Sequence, residues 1–357
     1  MHKRLKRSAF TTSSDNLYFD ISISSNNQTR VTRTSYSAVR TRNIVDKASD
    51  YFISVIRFTI PAFYVPVLVV PIADIATGET DYSVSVGYDG EYVEKKLFYT
   101  NQGNFIPDAR VSNYMFSYSQ MVDMINTALE EAFNDLTAPP AGSVAPFITF
   151  NSTTQLFTLY GQNDSYNESL DPRVEVFMND QLYSLFGSFY VERLSSGTSF
   201  NANGRDVRIK FVDLKNNVVD GIDPLDPNVY VAMMQDFSTL YNWNPYKRIV
   251  IVSNNLPIQS ESVLGDGDGF LNVLTDFEPS NDVTDTRSVY QYEPSAQYRL
   301  IDMVSDAPLR NIDLAIYWQD IDSNLIPLYI PFDSQVTLKL AFIRKSMFDN
   351  NWADRLP

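Results

Sequence analysis

The sequence predicts an all-β protein made of two β-sandwiches with accessory helices. Three observations carry this. Many short segments alternate apolar and polar residues, turn-forming Gly, Pro, Asn and Asp cluster between them, and aromatic residues, mostly Tyr and Phe, make up 13% of the 357 residues. Apolar residues are 44% and charged residues 20%, an ordinary globular balance rather than a disordered one. A chain of this length has ample room for a buried core, as about two domains or one large β unit.

Taken in order, the chain opens with a polar, basic, serine-rich stretch that reads as a flexible arm. Within the arm, Leu17, Phe19, Ile21 and Ile23 fall on one face of a strand able to pair with the body or with a neighbour. Polar linker follows to Ser49, so the arm is expected over residues 1–50 and the compact body from Tyr51. Tyr51 to Ile60 and Tyr64 to Ile72 are strand-like, and the prolines bounding the second place it at an edge or a bulge. Tyr82, Val84, Val86 and Tyr88 alternate with small residues, and Asp89-Gly90 is a two-residue hairpin signal leading into Tyr92 to Tyr99.

One helix is clear near 118–136, because apolar residues from Met121 to Leu136 recur at three- and four-residue spacing. Ser117 with Gln120 fits a capping box, and Pro139-Pro140 stops the run. Short strands return at Pro146 to Phe150, Gln155 to Tyr160 and Arg173 to Met178, and Asp180 to Leu185 reads as one or two helical turns. Gly, Ser and Asn thicken between Ser195 and Gly204, which sets the expected boundary: a first sandwich over 51–200 and a second over 201–357. The second begins where Val207, Ile209 and Phe211 alternate with Arg208 and Lys210, and continues through Val229 to Met233, Tyr246 to Ser253 and Leu271 to Phe277.

The chain closes with strands around Tyr290 and Tyr298 to Met303, then three of the cleanest patterns. Ile312, Leu314, Ile316 and Trp318 share one face, Leu325 to Ile330 is a short apolar strand, and Val336, Leu338, Leu340 and Phe342 share another face. Each half holds roughly eight to ten strand candidates, about the number of a jelly roll.

Composition excludes several chemistries. There is no cysteine, so disulfides, thiolate metal sites and thiol nucleophiles are absent, and the only histidine is His2 in the arm, which removes histidine catalysis and His-ligated zinc. No phosphate-binding glycine motif or nucleophile elbow occurs. No enzyme activity, cofactor or small-molecule substrate is therefore expected. Asp266 and Asp268 in Gly265-Asp266-Gly267-Asp268-Gly269 are weak calcium candidates, although a glycine-rich turn accounts for the same residues. Tyr241-Asn242-Trp243-Asn244-Pro245 reads as a corner into a buried strand rather than a ligand-stacking patch.

The formal charge of −15 is unevenly placed. Residues 1–47 carry nine basic against three acidic side chains, net +6, and the remainder 19 against 40, net −21. A basic arm on an acidic body points to contact with a polyanion or an acidic neighbouring subunit, with Lys3, Arg4, Lys6, Arg7, Arg30, Arg33, Arg40 and Arg42 as the contact candidates. No secretory signal pattern is visible, and the apolar run Ile60 to Ala73, interrupted by prolines, is too short to span a bilayer.

Several strings resemble a known family. Trp243-Asn244-Pro245, the run Arg248 to Pro257 that ends Ser253-Asn254-Asn255-Leu256-Pro257, Tyr298-Arg299-Leu300-Ile301-Asp302, and Ile312-Asp313-Leu314-Ala315-Ile316-Tyr317-Trp318 are similar to jelly-roll capsid proteins of the virophage and polinton-like lineage of DNA viruses. The likeness covers mainly Trp243 to Phe342. It implies a shell-building subunit of a virion capsid: a compact double jelly roll forming trimeric capsomers, or a single jelly roll with an inserted domain forming vertex pentamers. Such a subunit would meet copies of itself and other capsid proteins, and reach the genome or an inner shell through its basic arm. The alternative is a non-catalytic attachment or carbohydrate-binding β-sandwich.

Overall fold

The structure, a computed structural model, describes residues 16–24, 32–61, 65–100, 113–194, 204–211, 217–220, 229–262, 270–278, 289–292, 299–330 and 334–346. In chain order its main elements are β1 (Leu17–Ser24), β2 (Ser35–Val39), β3 (Tyr51–Pro61), β4 (Glu79–Tyr88), β5 (Glu91–Phe98), α1 (Tyr118–Asn134), β6 (Phe147–Asn151), β7 (Leu156–Gln162), β8 (Glu175–Met178), α2 (Asp180–Leu185), β9 (Val191–Arg193) and β10 (Val207–Ile209). They continue with β11 (Val229–Met234), β12 (Tyr246–Ser253), β13 (Phe270–Phe277), β14 (Val289–Tyr292), β15 (Asn311–Asp320), β16 (Leu325–Pro327) and β17 (Gln335–Arg344). Strands dominate, as alternation predicts.

Backbone contacts divide the chain into two interleaved units. The first comprises Met1–Ala62, Arg248–Glu278 and Val289–Pro357, and the second Phe63–Lys247 with Pro279–Ser288. This differs from the serial plan of an arm to residue 50 and sandwiches split at 200. The physical reason is pairing: β17 near the chain's end lies between β1 and β3 from its beginning, so first and last strands belong to one sheet. The Gly- and Ser-rich stretch near 200 falls inside the second unit.

In the first unit, one antiparallel sheet runs β1–β17–β3–β14, and another runs β13–β12–β15–β16 with β2 also paired to β15. Alternation decides which faces are buried. Ile312, Leu314, Ile316 and Trp318 on β15, and Val336, Leu338, Leu340 and Phe342 on β17, are all buried. The sheets meet at Phe58 on β3 and Phe277 on β13, whose ring centroids are 4.7 Å apart. Burying each such large side chain stabilises the fold by about 1.5–3 kcal/mol. A register shift at Lys339/Leu340 adds a bulge to the central β3–β17 ladder. The strand expected over Tyr298 to Met303 shortens to Ile301–Asp302.

The second unit packs α1 against two further antiparallel sheets, β9–β10–β8–β4 with β5 on β4, and β6–β7–β11. Asp89 (φ 48°) and Gly90 (φ 83°) make the tight β4–β5 turn, with Tyr88 opposite Glu91, as the Asp-Gly pair predicts. The side chain of Ser117 caps α1 by accepting from the Ser119 N–H. Gln120 does not complete a capping box, because its amide donates to the Thr100 carbonyl at 2.8 Å and is buried. Met121, Ile125, Leu129 and Phe133 form the buried stripe of the helix. Trp243 settles the aromatic corner: it stacks on Phe157 at 5.2 Å, and its indole N–H donates to the Leu185 carbonyl at 2.8 Å.

Candidate functional site

The polar residues of the resemblance strings anchor loops within the first unit. Asp313 lies on the face of β15 opposite its buried apolar residues, and its carboxylate accepts from Ser253 Oγ at 2.7 Å and from the backbone N–H groups of Asn254 and Asn255 at 3.0 and 2.8 Å. The Ser253-Asn254-Asn255 turn is thereby pinned to β15. Burial alone would raise the Asp313 pKa, but these hydrogen bonds outweigh it and hold the carboxyl below the usual range. Arg248 and Arg299 likewise converge on Asp276, with Arg299 at 3.0 Å, while Arg248 also donates to Gln319 at 2.8 Å.

Replacing Asp313 with Ala leaves the buried Ser253 hydroxyl and the exposed Asn254-Asn255 turn without their charged acceptor, which should destabilise the fold by about 2 kcal/mol at neutral pH. Because the folded pKa is depressed, this stabilisation is fully present above the unfolded carboxylate pKa and is lost as pH falls through the folded value. Urea unfolding at pH 7 and at low pH should therefore show the gap between parent and variant closing in acid.

A second polar cluster lies on the sheet of the second unit, around Arg208, which alternates in sequence with Val207 and Ile209. Arg208 is buried and donates to three carboxylates: Glu175 at 3.0 Å, Glu168 at 3.2 Å and Glu192 at 2.7 Å. Arg173 reaches Glu175 at 3.3 Å and Lys210 reaches Glu192 at 3.6 Å, so three cations meet three anions. Hydrogen bonds from Arg208, then its charge, hold the Glu192 carboxyl below its ordinary range. The partners lie 16 to 40 residues from Arg208 in sequence, so no local pattern announces them.

The arm candidates separate. Lys3, Arg4, Lys6, Arg7 and Arg30 lie outside the described residues, as do the calcium candidates Asp266 and Asp268. Arg33 belongs to a two-residue strand, Thr32–Arg33, paired with Tyr329–Ile330. Arg40 sits over the Phe19 ring at 5.0 Å, an internal cation–π contact, and Arg42 is exposed. The strand foreseen at Leu17 to Ile23 is paired along its whole length with β17 and buries Ile21 and Ile23. By sequence, the second unit holds 11 basic against 25 acidic residues, net −14, and the first 17 against 18, net −1. The acidic surplus thus belongs to the second unit.

A family model described as Sputnik minor capsid protein V18/19 matches residues 17–344. The chain is 31% identical over 207 residues to Structural protein V19 of the Sputnik virophage, which covers 56% of this chain and 94% of that protein. It also matches a chain in the cryo-EM structure of the Sputnik virophage with a TM-score of 0.77 and 32% identity, over 94% of this chain and 99% of that one. The crystal structure of the mavirus penton protein shares the fold, with a TM-score of 0.61 and 18% identity over 92% and 99% of the two chains. A sandwich of paired first and last strands, loops anchored by Asp313 and Asp276, and these likenesses over nearly the whole chain lead to one assignment: the chain belongs to the Sputnik minor capsid protein V18/19 family and is a structural protein of the virion capsid.

Proposed function

We propose that the chain is a non-catalytic vertex subunit, five copies of which close a ring at a corner of the shell. The observation that carries this is the interleaved chain. A single sandwich assembled from first and last strands, with the second unit inserted in sequence between β3 and β12, corresponds to the penton alternative rather than to two jelly rolls in series. The likeness to the mavirus penton protein supports the same choice. Closed rings of identical subunits arise when each copy presents two different, complementary surfaces to its neighbours. Lys3, Arg4, Lys6 and Arg7 add a dense positive charge ahead of β1, suited to the genome or to an acidic neighbouring subunit.

The arm's two parts call for different treatment. Removing residues 1–42 would strip β1 and β2 from their sheets, so a deletion that tests the arm must end at residue 15. Light scattering and imaging of the purified chain should give a pentameric mass and a five-fold outline, and a trimer would overturn the vertex reading. The chain lacking residues 1–15 should keep its melting temperature and lose salt-dependent binding to double-stranded DNA. Unchanged binding would remove the arm's polyanion role.

A further inference from the structure

A cleft of about 360 Å³ lies between β5 and α1 in the second unit, within the size range of small-molecule sites. Phe98, Met124 and Ala128 give it apolar walls, and Lys96, Gln120, Asp123 and Glu131 bring polar groups to it. Helical periodicity sets out the polar groups: positions 120, 124, 127 and 131 share one face, with Asp123 beside them. Asp123 and Glu131, eight residues apart, are separated by about 12 Å along the axis.

Two local rules are broken here. Gln120 is only 7% exposed, and although its amide N–H donates to the Thr100 carbonyl at 2.8 Å, its amide oxygen accepts no hydrogen bond. A buried acceptor of this kind is rare and calls for a donor. The second departure is electrostatic. Glu131 stands in the last turn of α1 and Asp135 at its C-cap, where the helix end is already negative, and no basic residue of the helix offsets them. Lys95 pairs with Asp135 at 2.6 Å, which leaves Asp123 and Glu131 without an ion pair among the described residues. Lys96 is the one cation in the wall, so its charged lining is net −1.

The occupant that satisfies these groups together is long, cationic, rich in N–H donors and apolar between its charges. A compact metal ion does not meet this description, because it gathers its oxygens within roughly 2.5 Å, and no acidic cluster able to hold one occurs among the described residues. We propose that the cleft binds a linear aliphatic polyamine. Its ammonium groups meet Asp123 and Glu131, one N–H reaches the Gln120 amide oxygen, and its methylene segments lie on Met124, Ala128 and Phe98, which is otherwise 51% exposed.

Isothermal titration calorimetry of the full-length protein with spermidine tests this at physiological salt, where non-specific attraction to the acidic chain is screened. Saturable uptake of one spermidine per chain is expected. Asp123→Asn with Glu131→Gln should weaken it by about tenfold or more, whereas Asp164→Asn with Asp171→Asn, an equal charge change at exposed positions outside the cleft, should leave it unchanged. Lys96→Gln removes the like charge from the wall and should tighten binding about threefold. Melting without spermidine checks that each variant is folded. Absence of saturable uptake, equal weakening by the two double variants, or no gain from Lys96→Gln overturns the proposal.

Discussion

Replacing Arg208 with Ala should destabilise the second unit by about 3 kcal/mol at neutral pH, because it leaves the carboxylates around this buried position short of a counter-charge. Three anions would remain with two cations, Arg173 at 3.3 Å from Glu175 and Lys210 at 3.6 Å from Glu192. The figure lies at the low end for a broken buried pair, since the side chains of Glu168, Glu175 and Glu192 are 19%, 22% and 45% exposed and keep part of their hydration.

The same substitution should remove part of the pH dependence. In the parent, the Glu192 pKa is depressed, so its contribution is present above the unfolded value and is lost as pH falls through the folded one. The variant lacks the hydrogen bonds and charge that depress it, so it has no such contribution to lose. Urea unfolding of parent and variant at pH 7 and at a pH well below the ordinary carboxylate range should show the difference shrinking in acid. A gap independent of pH would mean that Arg208 acts through packing alone.

Gly161 to Ala is expected to cost about as much, roughly 3 kcal/mol, for a steric reason. A Cβ at position 161 of β7 would lie 2.5 Å from Cγ and 2.7 Å from Cβ of Tyr166. These atoms sit at the root of the side chain, so no rotation of its far end relieves the contact. Tyr166 is also fully buried and donates its hydroxyl to the Val144 carbonyl at 2.8 Å. The ring must move and lose packing, the hydrogen bond, or both. Thermal melting measures the loss, and Gly142 to Ala, where the added Cβ meets nothing within 4 Å but φ is 80°, separates backbone strain from steric overlap. Gly142 to Ala should cost about 1 kcal/mol.

The difference between what could be read and what could not follows the range of the forces involved. Period-two alternation records which face of a strand is buried, a local property, so β15, β17, the β4–β5 hairpin and the stripe of α1 were legible residue by residue. The corner at Trp243 was legible for the same reason, because a large aromatic beside Asn and Pro at the start of an apolar strand must go inside. Pairing partners are not local. Nothing in Leu17 to Ser24 states that its neighbour is Gln335 to Arg344, or that Tyr51 to Pro61 takes that strand's other side, so a chain that returns to its beginning was read as two sandwiches in series.

Charged residues show the same division. Arg208 alternates with Val207 and Ile209, which fixes it on the opposite face from them, but whether that face meets water depends on carboxylates brought up by β8, β9 and the loop carrying Glu168. Asp313 was assigned its face correctly and its role as anchor of the Ser253-Asn254-Asn255 turn only through tertiary contact. The sequence by itself determined the all-β class, the strand faces, the absence of thiol and histidine chemistry and the basic start of the chain. Tertiary structure alone decided which strands are neighbours, where the acidic surplus gathers and which charges are satisfied, because backbone hydrogen bonding is indifferent to side-chain identity and partners are chosen by the packing of the whole core.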